Sequence, residues 1–340
     1  MVAQIDKRYI SFGIQRVWPR YLAYLIFEGR PVTTRFRWLN IIVFTVAKCL
    51  RLLPQLRKVQ KPGFIIGTGR SGTTILGIVL SMHKEVGFLN EPKAVWAGLH
   101  EFEDLIGSYN NAPARYRFSS ADATTPIIKG AHKIMGGYLK FSATNRLIEK
   151  YPEEIFRTDF IQAIFPDAHF LFLSRSGVET CCSISAWSKR LGKIKNSEIH
   201  DWWGVNDRKW KFLVEQLIPL HSDLAKHTTS MPTLDHEARA AVEWIVTMRE
   251  GMNFVKSNQS TALHVPYEAL CDNPSLWSLK IQKFLDLPRD HQFEKYASTV
   301  LSRDNKKSTL SLPDWLLPIF DRTQAQLDQF TNENRNFGNI

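Results

Sequence analysis

Short apolar runs recur along the chain and alternate with longer stretches of helical periodicity. The strand-like runs are Phe64–Ile66, Pro126–Ile128, His169–Ser174 and Ala262–Tyr267, and helix-like stretches such as Arg239–Lys256 and Leu276–Leu285 accompany them. Short buried strands that alternate with helices are typical of a parallel sheet with helices on both faces. The pattern therefore predicts an α/β fold, in which ligands bind where the strands end.

Positive charge is concentrated before residue 61. The whole chain of 340 residues carries a net charge of +11, and residues 1–61 hold twelve Lys or Arg against Asp6 and Glu28. The remainder is almost neutral, whereas a domain that wraps nucleic acid spreads positive charge over its folded surface. We therefore expect a basic extension (residues 1–60), one domain (residues 61–340) and no nucleic-acid partner.

The extension contains an amphipathic segment, Trp38–Leu53. Arg37, Asn40, Lys48 and Arg51 fall within an arc of roughly 80° on a helical projection, with apolar residues over most of the rest. The uncharged part, Trp38–Ala47, is shorter than the roughly 20 residues that cross a bilayer. Two interpretations stay open: a helix packed on the domain, or an interfacial helix on an anionic membrane. The sequence predicts a cytoplasmic protein, with peripheral attachment to the inner face of the membrane under the second interpretation.

A glycine-rich turn follows the first strand-like run. It reads GTGRSG from Gly67 to Gly72, and Thr73 and Thr74 come next. Glycines let backbone N–H groups face an anion, and the following helix N-terminus favours negative charge. The triphosphate template GxxxxGK[ST] fails because Thr73 occupies the lysine position, and the cation of the loop is Arg70. The turn predicts a P-loop-like sheet and an anion other than magnesium triphosphate; a tight turn without a ligand is the alternative.

The stretch GTGRSGTT resembles the 5′-phosphosulfate loop of sulfotransferases that use 3′-phosphoadenosine 5′-phosphosulfate (PAPS). The RSGTT form is similar to that of the Golgi and membrane-associated branch, which includes carbohydrate and tyrosylprotein sulfotransferases. The resemblance implies that Arg70 contacts the sulfuryl group and the 5′-phosphate. It also implies that the loop residues bind the phosphate, namely Gly69, Ser71, Gly72, Thr73 and Thr74. PAPS is then the co-substrate, and no metal is expected.

A second motif fits the 3′-phosphate site of the same family. Arg175 ends a strand-like run, and Ser183 follows eight residues later. An arginine fork binds a terminal phosphate through two hydrogen bonds, and a helical serine adds a neutral donor. An arginine that pairs with a helix C-terminus is the alternative. VPYEALCDNP resembles the family's YEDL segment and implies that Tyr267 lies near the adenine; Arg303, Lys306 and Lys307 are candidates for the third part of the 3′-phosphate site.

Two further residues are candidates for catalysis. Glu91 lies 21 residues after Arg70, where the tyrosylprotein branch has its catalytic glutamate, and a carboxylate near a cationic loop stays ionised to accept a proton. A salt bridge with Arg70 or Lys93 is the alternative for Glu91, and His132 is the rival base. Lys150 matches the family's lysine-proline motif, which implies that it stabilises the bridging oxygen of the leaving group; a solvated surface lysine is its alternative.

The acceptor is less clearly marked. Trp202, Trp203 and Trp210 stand among Lys189, Arg190, Lys193, Lys195, Arg208 and Lys209. Indole faces suit sugar rings and cations suit acidic glycans, while an amphipathic helix that buries its tryptophans is the alternative. Trp96–Lys129 is a second candidate for the acceptor pocket, with His100, Tyr109, Arg115, Tyr116 and Arg117.

The sequence predicts in-line transfer of a sulfuryl group to an acceptor hydroxyl of a carbohydrate or polysaccharide precursor. A small natural product and a protein tyrosine are the next acceptors. A P-loop kinase and a non-catalytic membrane-docking protein are the alternatives from other classes.

Overall fold

Eight strands form two sheets in the computed structural model, which describes residues 4–303 and 309–336. The strands are β1 (Gly63–Gly67), β2 (Val86–Asn90), β3 (Arg146–Lys150), β4 (His169–Ser174), β5 (Lys193–Lys195), β6 (Glu198–Asp201), β7 (Gly204–Val205) and β8 (Ala262–Pro266). The main sheet is parallel, in the order β2-β3-β1-β4-β8, and β5-β6-β7 form a small antiparallel sheet. The predicted α/β fold with a parallel sheet flanked by helices is confirmed.

Helices make up most of the remaining regular structure. The α-helices are α1 (Lys7–Phe12), α2 (Val17–Leu22), α3 (Leu39–Leu52), α4 (Thr73–Leu80), α5 (Lys93–Leu99), α6 (Thr125–Ser142), α7 (Thr158–Ile164), α8 (Gly177–Leu191), α9 (Arg208–Gln216), α10 (Ser222–Ala225), α11 (His236–Ser257), α12 (Tyr267–Asp272), α13 (Pro274–Phe284), α14 (His291–Val300) and α15 (Leu317–Asn336). A π-helical turn spans Ala23–Phe27, and 3₁₀ turns span Ile14–Arg16, Ser120–Asp122, Pro152–Phe156, Ile218–Leu220 and Thr228–Thr233.

One predicted strand is wrong. Pro126–Ile128 lies in the first turn of α6 rather than in the sheet. Proline is well placed there, because the first turn of a helix makes no use of its missing N–H and its φ angle already suits the helix. The edge strand β2 and its neighbour β3 were not predicted.

The core lies on both faces of the main sheet. Phe64 and Ile66 of β1 point into one hydrophobic cluster, and Ile65 between them points into the other. All three are fully buried. This alternation follows from the period of two along a strand, and a run buried on both faces explains why β1 is apolar throughout.

The basic extension packs on both faces of the same sheet. Ile5 and Tyr9 belong to one cluster, while Phe27, Val43 and Leu50 belong to the other. Helix α2 and the π-helical turn that follows it contact β2, the edge strand. The division at residue 61 stays a prediction, but residues on both sides of it share one core. Within the described residues, none of the helices combines the length and the apolar character needed to cross a bilayer.

Candidate active site

A cavity of about 950 Å³ opens where β1, β2, β3 and β4 end. Parallel strands of an α/β sheet bring their carboxyl ends to one edge, so loops far apart in sequence meet there. Nine of the predicted site residues line this cavity: Gly69, Arg70, Gly72, Thr73, Thr74, Glu91, Lys150, Arg175 and Ser183. The predicted residues Ser71 and Tyr267 do not line it.

The glycine loop has no room for side chains at its two ends. Gly67 and Gly72 have φ angles of 140° and 101°. A Cβ on Gly67 would overlap the Leu173 carbonyl, and one on Gly72 would overlap the Tyr267 ring. Gly72 also precedes α4 as its N-cap without a side-chain cap, so the first N–H groups of the helix can bind an anion.

Arg70 extends from this loop with a left-handed backbone, φ 71°. Its Nε donates to Ser183 Oγ at 3.2 Å. Burial, together with Arg190 and Arg175 nearby, lowers the pKa of Arg70 below its ordinary value. Among residues 4–303 and 309–336 no carboxylate forms an ion pair with Arg70, so positive charge accumulates where an anionic group is predicted to bind.

Arg175 directly follows β4. Its Nε and Nη2 donate to Glu179 Oε2 at 2.9 and 2.6 Å, and its Nη1 donates to the Arg70 carbonyl at 3.3 Å. Its guanidinium lies 4.7 Å from the centroid of the Tyr267 ring. The structure thus brings Arg70, Arg175 and Ser183 together. Tyr267 supports this cluster from behind the loop, and burial raises the pKa of its phenol to about 12.

Ser71 is turned into the loop. Its hydroxyl donates to the Thr68 carbonyl at 2.5 Å, and the side chain is buried. Thr73 and Thr74 occupy the first turn of α4 and line the cavity. A contact between phosphate and the Ser71 hydroxyl stays a prediction and requires this hydroxyl to rotate.

Glu91 and Lys150 form an ion pair across neighbouring strands. Lys150 is the last residue of β3, in register with Asn90 at the end of β2, and Glu91 follows Asn90. The Lys150 side chain is 3 % exposed and that of Glu91 is 33 % exposed. Like Arg70, Glu91 has a left-handed backbone, with φ 49°. Such conformations are unfavourable for non-glycine residues and cluster at functional sites.

A second lysine also contacts Glu91. Lys93 Nζ lies 3.3 Å from Glu91 Oε2 and 3.3 Å from Glu153 Oε1. Burial alone would raise the pKa of Glu91, but Lys150 and Lys93 hold it below its usual value. The salt bridge with Lys93 anticipated from the sequence is present. It coexists with the Lys150 pair, and both keep the carboxylate ionised.

The charged network continues to a tryptophan over the glycine loop. Lys209 Nζ lies 3.3 Å from Glu153 Oε1 and 2.5 Å from Glu243 Oε1. The indole N–H of Trp202 donates to Glu243 Oε2 at 2.7 Å. Each buried charge has an opposite neighbour, which offsets the cost of its desolvation. The network therefore connects the Glu91 end of the cavity with Trp202.

Several sequence candidates lie outside the cavity. His132 Nε2 lies 2.9 Å from the Ile164 carbonyl, and the ring packs on Phe165. The rival base therefore does not line the cavity, whereas Glu91 does. Trp203 and Trp210 are buried in the core, as the alternative for this segment supposed.

The second acceptor candidate, Trp96–Lys129, contributes only Ile106 and Tyr109 to the cavity. Arg115 pairs with Asp122, and Arg117 with Glu250. Arg303 pairs with Asp272, while Lys306 and Lys307 lie outside the described residues.

From the sequence, Arg190 was named only as one of the cations near the tryptophans, and other residues of the cavity wall, such as Trp187, were not named. Arg190 lies two turns after Ser183 on α8, and the spacing of Ser183, Trp187 and Arg190 places them on one helix face. That spacing was a usable signal. The extension also contributes to the wall through residues between Tyr24 and Thr34, including Glu28 and Arg30. No local motif marks this contribution, because it depends on how the extension folds around the sheet.

Residues 62–227 match the model of the family described as "Sulfotransferase family". The matched region contains the glycine loop, Glu91, Lys150, Arg175 and Ser183. This match over residues 62–227 supports the PAPS-dependent sulfotransferase that the sequence motifs predicted. Its co-substrate is PAPS, and the cationic loop and Arg175 fit a ligand of this charge.

A search of curated proteins finds no match to this chain. Solved sulfotransferase structures show distant likeness. The sulfotransferase domain of the Synechococcus PCC 7002 olefin synthase is 15 % identical and covers 81 % of this chain and 97 % of its own, with a TM-score of 0.45. STF9 from Mycobacterium avium is 12 % identical over 100 % of this chain and 97 % of its own, with a TM-score of 0.45. Mouse SULT7A1 complexed with PAP is 13 % identical and covers 85 % of this chain and 88 % of its own, with a TM-score of 0.39.

Proposed function

We propose that Glu91 is the general base of sulfuryl transfer and that Arg70 and Lys150 stabilise the charge that develops. The observation that carries this proposal is the Glu91–Lys150 ion pair in the same cavity as the cationic loop. A base and two cations around one space meet the needs of an in-line displacement, which depends on positioning and charge stabilisation.

In the proposed step, Glu91 accepts the proton of the acceptor hydroxyl. The acceptor oxygen forms a bond to sulfur while the bond between sulfur and the bridging phosphate oxygen breaks. Lys150 stabilises the bridging oxygen, which leaves with the electron pair, and Arg70 binds the equatorial sulfuryl oxygens. Lys150 must then turn away from Glu91. Losing this cation raises the pKa of Glu91 and makes it a stronger base at the moment of transfer.

The two ends of the nucleotide are assigned to different elements. Gly69, Gly72, Thr73 and Thr74, together with the N-terminus of α4, bind the 5′-phosphate, and Ser71 contributes after rotation of its hydroxyl. Arg175 and Ser183 bind the 3′-phosphate. The Tyr267 ring packs against Gly72 and the Arg175 guanidinium on the side away from the cavity. In this proposal it supports the nucleotide site without touching the nucleotide.

For the acceptor we propose a carbohydrate. Trp202 and Trp187 both line the cavity, with ring centroids 5.4 Å apart in an edge-to-face arrangement. Asp201, Thr33 and Thr34 line the same space and offer hydrogen bonds to hydroxyl groups. An apolar ring face beside several hydrogen-bonding groups suits a sugar better than a flat phenol. A small natural product and a protein tyrosine remain the competing acceptors.

The test uses ³⁵S-labelled PAPS and a panel of p-nitrophenyl glycosides, p-nitrophenol and an acidic tyrosine peptide. We expect label in the glycosides. Glu91→Gln should lower the rate of transfer about 10²- to 10⁴-fold, the range for loss of a general base. Calorimetric titration in EDTA should show that this variant still binds 3′-phosphoadenosine 5′-phosphate.

His132→Gln is the matched control, because it replaces the rival base outside the cavity while keeping a donor for the Ile164 carbonyl. Full activity in Glu91→Gln together with loss in His132→Gln would reverse the assignment of the base. Transfer to p-nitrophenol or the peptide alone would contradict the carbohydrate proposal and leave the base unaffected.

Peripheral attachment to an anionic membrane is proposed for helix α3. One face of α3 is buried through Leu39, Val43, Ala47 and Leu50, so the expected packing on the domain exists. The opposite face is apolar yet exposed: Trp38 is 61 %, Ile41 72 % and Leu52 79 % exposed. Lys48 and Arg51 are exposed beside this apolar face. Exposed apolar side chains flanked by basic residues are the pattern of a helix that binds anionic lipid.

The membrane proposal is tested by sedimentation with phosphatidylglycerol vesicles in low and high salt. Ile41→Ser/Leu52→Ser should weaken the binding without unfolding the protein, since both side chains are exposed. Leu220→Ser, which removes an exposed leucine elsewhere (60 %), is the control. Equal sedimentation of all three proteins, or binding to neutral vesicles alone, would contradict the proposal.

A further inference from the structure

The edge strand that leads to Glu91 is hydrogen-bonded to the basic extension. β2 is the terminal strand of the main sheet, so β3 pairs with only one of its edges. On the other side, Arg20 Nη1 donates to the Phe88 carbonyl at 2.7 Å. The backbone N–H of Asn90 donates to Glu28 Oε1, also at 2.7 Å. The extension thus satisfies backbone groups that an edge strand otherwise leaves exposed.

Arg20 and Glu28 also form an ion pair with each other. Arg20 Nη1 lies 2.8 Å from Glu28 Oε1, and the two side chains are 0 % and 5 % exposed. Burial alone would lower the pKa of Arg20, but Glu28 keeps it above its ordinary value. The guanidinium also lies 4.9 Å from the centroid of the Phe88 ring. Both charges are therefore fixed in place against β2.

This ion pair reaches the residue directly before Glu91. Asn90 is held on the outer edge by Glu28, and the Glu91 N–H donates to the Lys150 carbonyl at 2.7 Å on the inner side. Glu91 adopts a left-handed backbone between these two contacts. A non-glycine residue holds such a conformation only where its surroundings impose it. The Asn90 and Glu91 peptides are thus fixed from both sides, one of which belongs to the extension.

We propose that the Arg20–Glu28 ion pair positions Glu91 for the reaction, so that the basic extension is part of the active site. This inference rests on the proposed function, in which Glu91 is the base. Arg20 and Glu28 act through the backbone of β2 and not through the reacting atoms, so they are positioning residues. A displacement of a reacting group by about 1 Å can reduce a rate about 100-fold.

Two variants test the inference. Glu28→Gln keeps an oxygen that can accept from the Asn90 N–H but removes the charge that holds Arg20. Arg20→Met/Glu28→Leu removes both contacts with β2 and fills the space with apolar side chains, an exchange that buried ion pairs often tolerate. The second variant keeps the test valid if the first fails to fold.

Tyr9→Phe is the matched control. It removes a buried hydrogen bond from the same extension, in which the Tyr9 hydroxyl contacts Ser81. Ser81 directly follows α4, so the Tyr9–Ser81 hydrogen bonds involve neither β2 nor Glu28. All variants are assayed with ³⁵S-labelled PAPS and the panel acceptor that wild type uses best, or with water as acceptor by release of labelled sulfate.

We expect the double variant to lower kcat about 10- to 100-fold, with the Kd for 3′-phosphoadenosine 5′-phosphate within twofold of wild type. Tyr9→Phe should keep kcat within twofold. The decisive measurement repeats the double variant in the Glu91→Gln background. If the pair acts through Glu91, it has no further effect there.

An equal further loss in the Glu91→Gln background would overturn the inference, since the pair would then act elsewhere. A kcat no lower than that of Tyr9→Phe would overturn it as well. Failure of the proposed function is distinguishable, because Glu91→Gln alone would then be fully active whatever the extension variants do.

Discussion

The indole ring of Trp202 lies directly on Gly69 of the glycine loop. A Cβ built on Gly69 would overlap the six-membered ring of Trp202. The indole N–H is at the same time fixed by Glu243 at 2.7 Å, so the ring cannot move away without losing this hydrogen bond. The wall proposed to bind the acceptor and the loop predicted to bind the nucleotide are thus in contact at this one point.

Gly69→Ala should therefore displace Trp202 and weaken nucleotide binding. We expect the Kd for 3′-phosphoadenosine 5′-phosphate to rise about tenfold by calorimetry, since a misplaced side chain distorts the loop. Adding Trp202→Leu should restore part of the affinity by making room. Gly98→Ala is the control, because a Cβ there has only ordinary contacts with Phe44. Unchanged affinity in Gly69→Ala would mean that the loop and Trp202 move independently.

Arg175→Ala should reduce affinity for 3′-phosphoadenosine 5′-phosphate about 10- to 100-fold, the usual range for losing charged hydrogen bonds. Glu179 accepts hydrogen bonds from two donors of Arg175. Glu179→Gln should consequently keep or raise the affinity, because the phosphate no longer competes with a carboxylate. Calorimetry of both variants in EDTA checks this pair of expectations. Weaker binding in Glu179→Gln would show that Glu179 orients Arg175 for the phosphate.

Lys93→Met should move the acid limb of the pH profile of kcat/KM to higher pH. Lys93 helps to hold the pKa of Glu91 below its usual value, so removing this cation raises that pKa. The ionised, base-competent form of Glu91 is then lost at a higher pH as the solution is acidified. Lys209→Met is the control, since Lys209 contacts Glu153 and Glu243 but not Glu91. If the acid limb shifts equally in Lys93→Met and Lys209→Met, the cause is the general loss of positive charge and not the contact between Lys93 and Glu91.

We expect Glu149 to make the free energy of unfolding depend on pH near neutrality. Burial raises its pKa to about 7, although contacts with Glu154 and Trp96 oppose the rise. Because the pKa is higher in the folded than in the unfolded chain, the stabilisation is complete below about pH 4.5 and is lost as pH rises through 7. The full loss amounts to roughly 3 to 4 kcal/mol, since one pKa unit corresponds to about 1.4 kcal/mol.

Glu149→Gln keeps an oxygen for the Trp96 indole N–H, which donates to Glu149 Oε1 at 2.6 Å. We expect its free energy of unfolding to change less than that of wild type between pH 5 and pH 8. Chemical denaturation at both pH values measures the difference. Glu101→Gln, an exposed position, is the control. If the free energy of unfolding changes equally with pH in wild type and in Glu149→Gln, then Glu149 is ionised in the folded protein at neutral pH.

The sequence by itself determined the chemistry that is local in the chain. The glycine loop with Arg70, and Arg175 with Ser183, are each contained within one strand, one turn and one helix. Their spacing largely determines which groups can face the cavity, because covalent neighbours and helix geometry leave little freedom, although Ser71 is turned into the loop. The parallel sheet also followed from alternating apolar runs. The error at Pro126–Ile128 arose because three apolar residues suit a buried helix turn as well as a strand.

Only the tertiary structure decided which distant groups meet. Glu91 and Lys150 are separated by 59 positions and are paired because β2 lies beside β3, an order that no local pattern encodes. Glu28 reaches Asn90 across 62 positions because the extension wraps around the free edge of β2. The sequence showed this extension as a basic attachment. Its burial against the sheet, set by the need to cover an unpaired edge and apolar faces, makes it a wall of the cavity.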